Sequence, residues 1–238
     1  MKEKPILFNG AMVRAVLDGS KTHTRRAMKP QLLYGDVCGL FPSWYLPTAQ
    51  GSGILYPNGK DTILAMCHHG RPGDHLWVRE TFYAYGRWVT RYSEKKKRDE
   101  WHFIDMTVEC DRAYQYAADN PDVPLATDRG GALPGWYKRH AIFMPRAVSR
   151  IQLEIIGIRV ERLQDISEAD SVAEGIRISS DCRRSEACYG IYECNLSDGK
   201  THFNDSAYEL FKKVWNSTGG DWDANPWVWV VEFKRVKP

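Results

Sequence analysis

Ser149–Leu163 reads SRIQLEIIGIRVERL and carries the strongest strand signal in the chain. Ile151, Leu153 and Ile155 alternate with Arg150, Gln152 and Glu154, the period of two that lines one face of a sheet with apolar side chains. Gly157 interrupts the run at a place where a bulge or bend needs no Cβ. The period then changes. Ile166–Ile176, ISEADSVAEGI, offers Ser167 as N-cap, acidic residues in its first turn and Gly175 at its end, which predicts a short helix with Glu174 in its last turn. Asn204–Ser217, NDSAYELFKKVWNS, places Ala207, Leu210, Phe211, Val214 and Trp215 at helical spacing behind a Ser206/Glu209 capping box. Trp227–Val236, WVWVVEFKRV, closes the pattern as a strand.

Toward the N-terminus, Arg71–Glu80 (RPGDHLWVRE) is a Pro-Gly-Asp turn entering a strand, with Leu76, Val78 and Glu80 on one face and His75, Trp77 and Arg79 on the other. Ala11–Asp18 reads as a helix with Asn9 as cap and Gly19 as stop. Thr62–Met66 (TILAM), Phe103–Glu109 (FIDMTVE) and Ala113–Tyr116 (AYQY) are strand-like, whereas DNPDVPLATDRGGALPG is a loop. Strands of mixed spacing with three helices predict an α+β domain over 1–238, its sheet curled toward a small barrel. No internal repeat is present.

A hydrophobic content of 43% over 238 residues supports a sizeable core. No run of about 18 apolar residues occurs, and MKEKPILFNG lacks the apolar stretch of a signal peptide, so the expectation is a soluble, cytoplasmic protein with no membrane partner. A net charge of +3 is too small to define a nucleic-acid partner, but residues 1–30 set seven Lys and Arg against only Glu3 and Asp18. The other basic run, Lys95–Arg98, is followed at once by Asp99 and Glu100 and reads as a solvated loop. The six cysteines are expected to be reduced. Neither Cys67–His69 (CHH) nor the Cys182, Cys188, Cys194 series with His202 nearby has the spacing of a common zinc motif, so no metal and no cofactor is expected.

Gly19–Arg26, GSKTHTRR, crowds Lys21, Thr22, His23, Thr24, Arg25 and Arg26 behind a helix stop. Such a cluster is either a solvated turn or a site aimed at an anion. Gly19, Lys21, Thr24 and Arg26 match the GxKxxTxR pattern of ASCH domains, and PGDHLWVRE is similar to that family's GD-turn and following strand. The order of long strand, LQDISEADSVAEGI helix, second helix and closing strand also resembles the family. The chain looks like the larger ASCH-type proteins often carried by phages and prophages, with insertions at about 30–70, 81–145 and 178–203. The resemblance implies a PUA-like fold, a small β-barrel with flanking helices, and recognition of RNA or modified nucleobases. One branch of the family is an amidohydrolase that removes the acetyl group from N-acetylated cytidine, and its lysine, threonine and glutamate fall by motif on Lys21, Thr24 and Glu174.

The chemistry of these residues agrees with that branch. Burial and the like charges of Arg25 and Arg26 both disfavour a protonated Lys21, so it can serve as a base near neutral pH. Thr24 is then the nucleophile, Glu174 the acid or water activator, and Arg26 or backbone N–H groups hold the oxyanion. Arg25, Arg26, Arg79, Glu80 and Trp77 are the further candidates for contacts with substrate or nucleic acid. Two other readings stand beside this one. In a non-catalytic RNA- or DNA-binding module, Lys21, Arg25 and Arg26 meet phosphates and Thr24 a base edge. In a metal-independent ribonuclease, a lysine and a glutamate act at the ribose 2′-hydroxyl. Trp44, Trp77, Trp88, Trp136, Trp227 and Trp229 are either base-stacking platforms or core, and Arg146 and Arg150 either extend a basic groove or are solvated. No Ser-His-Asp set, phosphate loop or HExxH helix is visible.

Overall fold

The structure is a computed structural model and describes residues 1–36, 42–48, 53–128, 133–178, 189–191, 202–204 and 206–236. Its elements run β1 (Glu3–Leu7), α1 (Gly10–Leu17), β2 (His23–Ala27), β3 (Leu33–Asp36), β4 (Pro42–Pro47), β5 (Gly53–Tyr56), α2 (Lys60–Ala65), β6 (His75–Arg79), β7 (Phe82–Ser93) and β8 (Arg98–Asp105). They continue with β9 (Gln115–Tyr116), β10 (Gly135–Arg139), β11 (Gln152–Arg162), α3 (Glu168–Ala173), β12 (Arg177–Ile178), β13 (Tyr189–Ile191), β14 (His202–Asn204), α4 (Ala207–Ser217) and β15 (Trp227–Val236). The fold is α+β and dominated by sheets. No helix among the described residues is long and apolar enough to cross a membrane.

Two compact units divide the chain. The first comprises Met1–Ile6, Ala15–Trp77 and Ile151–Pro238. Its main sheet has the order β1-β6-β11-β15-β2, with β11 antiparallel to both β6 and β15, and β15 antiparallel to β2. The sheet is open at β1 and β2, and no closed barrel forms among the described residues. The bend expected at Gly157 is present: the β11–β15 register shifts between Ile155 and Gly157, and Ile156 turns outward. A Cβ on Gly157 would lie 2.9 Å from Glu232 Oε2, so a larger residue there would push the Glu232 carboxylate aside. Leu76, Leu153, Ile155, Val228, Val230 and Phe233 are all buried on these strands. A further cluster joins Met28, Leu46, Ile63, Cys67, Val160 and Trp227.

Two helix starts are fixed by named side chains. Ser167 Oγ accepts the Asp170 N–H at 3.0 Å, the cap expected for α3. Ser206 Oγ likewise accepts the Glu209 N–H at 3.2 Å. The acidic partner at that start comes from α3: Glu168 accepts the Ala207 N–H at 2.7 Å and the Ser206 hydroxyl at 2.5 Å. A carboxylate here meets both the unpaired amides and the positive end of α4.

The second unit comprises Leu7–Arg14 and Val78–Arg150. Its antiparallel sheet has the order β10-β7-β8, with β9 also paired to β7. One face of this sheet carries Phe82 and Ala84 onto Met144 and Val148, with Phe103, Tyr114 and Tyr116 around them. The stretch read as an insertion, 81–145, lies within this unit.

Three local expectations are corrected. Thr62–Met66 is not a strand, because Lys60–Ala65 forms α2 with Ile63 as its buried residue. So short an apolar run has no period by which to tell helix from strand. The strand expected over Phe103–Glu109 ends at Asp105, whose carboxylate accepts the Thr107 N–H at 2.9 Å and hydroxyl at 2.6 Å and draws the chain into a turn. Phe82–Ser93, read only as mixed, is the twelve-residue strand on which the second unit is built.

Candidate functional site

The site grows from the end of α1. Gly19 adopts φ +85°, and its N–H bonds to the Val16 carbonyl at 3.2 Å, ending the helix as its sequence predicts. The chain then enters the sheet at once. The Lys21 N–H bonds to Ala15 O at 2.9 Å, the Thr22 N–H to Ala173 O at 2.8 Å, and Lys21 forms an isolated antiparallel bridge with Glu174. GSKTHTRR is therefore not a solvated turn: Lys21 and Thr24 are each 2% exposed, and Arg25 is 4% exposed.

Lys21 and Glu174 meet as expected. Lys21 Nζ donates to Glu174 Oε2 at 2.7 Å and to the Glu174 carbonyl at 2.9 Å. Gly175 makes this approach possible, since its φ of +100° turns the chain after α3 and a Cβ there would stand 3.0 Å from Ala15 Cβ and 3.4 Å from Lys21 Cβ. Burial pushes the Lys21 amine below the ordinary lysine value; Glu174 opposes that shift, and the like charges of Arg26 and Arg25 add to it.

Arg25 is not turned to an outside anion. Its guanidinium bonds to Glu174 Oε1 at 3.2 Å, to Glu161 Oε1 at 2.5 Å and to Asp170 Oδ2 at 3.0 Å, with its side chain fully buried. Arg159 adds a second cation, 3.0 Å from Glu161 Oε2 and 3.0 Å from Asp170 Oδ1, and also bonds to Glu232. Burial alone would raise the Asp170 carboxyl, but Arg25 and Arg159 bring it below its usual range. His23 lies beside Glu232, with Nδ1 at 2.9 Å from the Thr22 hydroxyl; burial lowers its pKa against the pull of Glu232.

Strand alternation separates the remaining motif residues. His23 and Arg25 share one face of β2, and Thr24 and Arg26 the other, opposite Val231 and Trp229 of β15. Arg26 is half-buried and near enough to Lys21 to act on it electrostatically. Trp77 lies on β6 in register with Gln152. Arg79 and Glu80 belong to the second unit, where Arg79 donates to the Ile142 carbonyl. Glu80, 1% exposed, is held by Arg150 at 2.9 and 3.1 Å, and Arg150 also pairs with Asp119. Arg150 stacks 4.0 Å from the Tyr116 ring centre, so it is a structural cation and not a solvated one.

Sequence reading missed Glu161, Asp170, Arg159 and Glu232. The available signal was the alternation of Arg159 and Glu161 with apolar residues toward the end of β11, where opposite charges on one face imply a shared partner. No group of three or more metal-ligating side chains occurs among the described residues, and Cys182, Cys188 and Cys194 lie outside them. Comparison with known proteins adds no relative: no family model, no curated protein and no solved structure matches this chain.

Proposed function

We propose that the chain is an ASCH-type protein of the PUA-like superfamily, and that it hydrolyses an acyl amide on a nucleobase or nucleoside with Lys21, Thr24 and Glu174 as its reacting groups. The observation that carries this reading is the buried Lys21 amine, 2.7 Å from Glu174 and lowered in pKa by its burial. A surface lysine at the end of a helix has neither property.

Arg25 gives this pair a chemical use. A base at Lys21 must lose its proton while Glu174 stays charged. The Arg25 guanidinium on Glu174 Oε1 supplies the cation that keeps the carboxylate paired in that state. The Thr24 hydroxyl, buried on the face of β2 away from Arg25, must reach the neutral Nζ, which takes its proton as Oγ1 attacks the acyl carbon. Collapse of the tetrahedral adduct breaks the C–N bond, and the leaving nitrogen takes the proton from Nζ. Water, activated by Glu174 or Lys21, then cleaves the acyl-threonine. Arg26, on the same face of β2 as Thr24, is the cation available to the developing oxyanion.

The test is turnover of N-acetylcytidine and related acylated nucleosides, followed by chromatography, in wild type, Lys21→Met, Thr24→Val and Glu174→Gln, with circular dichroism as the folding control. Release of acetate by wild type and its loss in folded variants is the expected result. Absence of turnover on every acylated nucleoside would leave the site a binder, and cleavage of RNA without deacylation would make it a ribonuclease.

A further inference from the structure

The second unit has a sheet face that its own core does not use. Residues of β7 alternate, and the ring pairs fix the alternation: Trp88 meets Phe103 at 5.3 Å on the core side, while Tyr85 meets Trp136 at 5.6 Å on the other. The register places Tyr83, Arg87 and Arg91 of β7 with Tyr85 on that outer side, beside Lys138 of β10. Arg112 arrives from the turn after β8 and lies 4.1 Å from the Tyr85 ring centre.

Charge distinguishes this face from an ordinary solvated one. Arg87, Arg91, Arg112 and Lys138 are exposed, and among the described residues none of them has a carboxylate partner. In the same unit Arg150 is matched by Glu80 and Asp119, and Glu100, which the register sets opposite Arg91, is taken by Lys96 and Arg98. Stacking on Tyr85 orders the Arg112 guanidinium while leaving its N–H fork without an anion. Tyr83, Tyr85 and Trp136 stay partly exposed between these cations. Aromatic rings set on a sheet face among these cations suit a ligand that alternates planar rings with phosphates. The Tyr83 and Tyr85 hydroxyls and the exposed His102 side chain supply hydrogen-bonding groups suited to a ribose 2′-hydroxyl.

We propose that this face of β10, β7 and β8 binds single-stranded RNA. It is a surface separate in residues from the Lys21–Glu174 site, and the proposal does not rest on that site being catalytic.

The experiment is fluorescence anisotropy of a labelled twelve-nucleotide single-stranded RNA with the full chain across a salt series. Four phosphate contacts predict that affinity falls roughly 50-fold between about 50 and about 200 mM salt. The variant Arg87→Ala/Arg91→Ala/Lys138→Ala alters only exposed side chains, and it is expected to reduce the salt slope to roughly a quarter. Tyr85→Leu is expected to weaken binding roughly tenfold while keeping the slope. Lys21→Met binds RNA as wild type does, and the triple variant turns over free acylated nucleosides as wild type does, so the two proposals fail separately. No RNA binding by wild type, or binding untouched by the triple variant, overturns the inference. Equal affinity for poly-glutamate would show an acidic-protein surface instead, and equal affinity for single-stranded DNA would remove the ribose contact; either result overturns the RNA assignment.

Discussion

Lys21 and Glu174 are paired with side chains 0% and 5% exposed, so breaking the pair leaves a buried charge to be accommodated. The two partners are not equivalent. After Lys21→Met the carboxylate keeps Arg25, whereas after Glu174→Gln both Lys21 and Arg25 face a neutral amide. Glu174→Gln is expected to cost about 3–5 kcal/mol and Lys21→Met distinctly less, as read from urea denaturation. A depressed lysine also gives a signed pH dependence. In the proposed deacylation only the neutral amine accepts the Thr24 proton, so kcat/KM rises with pH, with its midpoint below the ordinary lysine value of 10.5. The same shift makes stability greatest above that ordinary value and lower as pH falls through the folded-state value. A rate that does not fall as the pH is lowered from the alkaline range into the acid range would remove Lys21 as the base. The meeting of Lys21 with Glu174 was legible through the motif. The fate of Arg25 was not, because Glu161 and Asp170 lie 136 and 145 positions away and only the register of β11 and the place of α3 bring them in.

Among the elements, α3 acts through its last turn. Gly175 is the point where helix geometry becomes site geometry, and Gly175→Ala meets both a strained φ and a 3.0 Å contact with Ala15. The expected outcome is a loss of about 1–3 kcal/mol in thermal unfolding and a lower kcat for the proposed deacylation, because relieving the contact shifts the turn that sets Glu174 against Lys21. Helices with a cap and a glycine stop were readable from sequence, as Ser167 with Gly175 and Asn9 with Gly19 show. β7 was harder. Its inner residues Phe82 and Ala84 are buried, but its outer positions mix tyrosines with arginines, which blurs a period-two pattern.

For the whole molecule, stability in acid reports on His69. Burial first, and then the neighbouring His68, Arg26 and Lys4, lower its pKa from 6.5 to about 3. Its Nε2 is buried without a hydrogen-bond partner. The unfolded chain therefore takes up this proton well before the folded one does. Stability from this group is complete above pH 6.5 and falls as the pH drops toward 3, by roughly 5 kcal/mol at the limit. His69→Gln is expected to flatten that part of the curve, as followed by denaturant midpoints at successive pH values. Sheet order was not legible, since β2 joins β15 and β6 joins β11 across most of the chain, and hydrophobic period says which face a strand buries but not its neighbour.

The contact of Glu168 with the start of α4 has a consequence for how the chain tolerates change. Glu168 opens α3, and its carboxylate receives the amides of Ala207 and Tyr208. The start of one helix is thus fastened to the start of the next, so a substitution at Glu168 is felt in α4: it strips that helix of the carboxylate on its first amides while leaving the Ser167 cap of α3 in place.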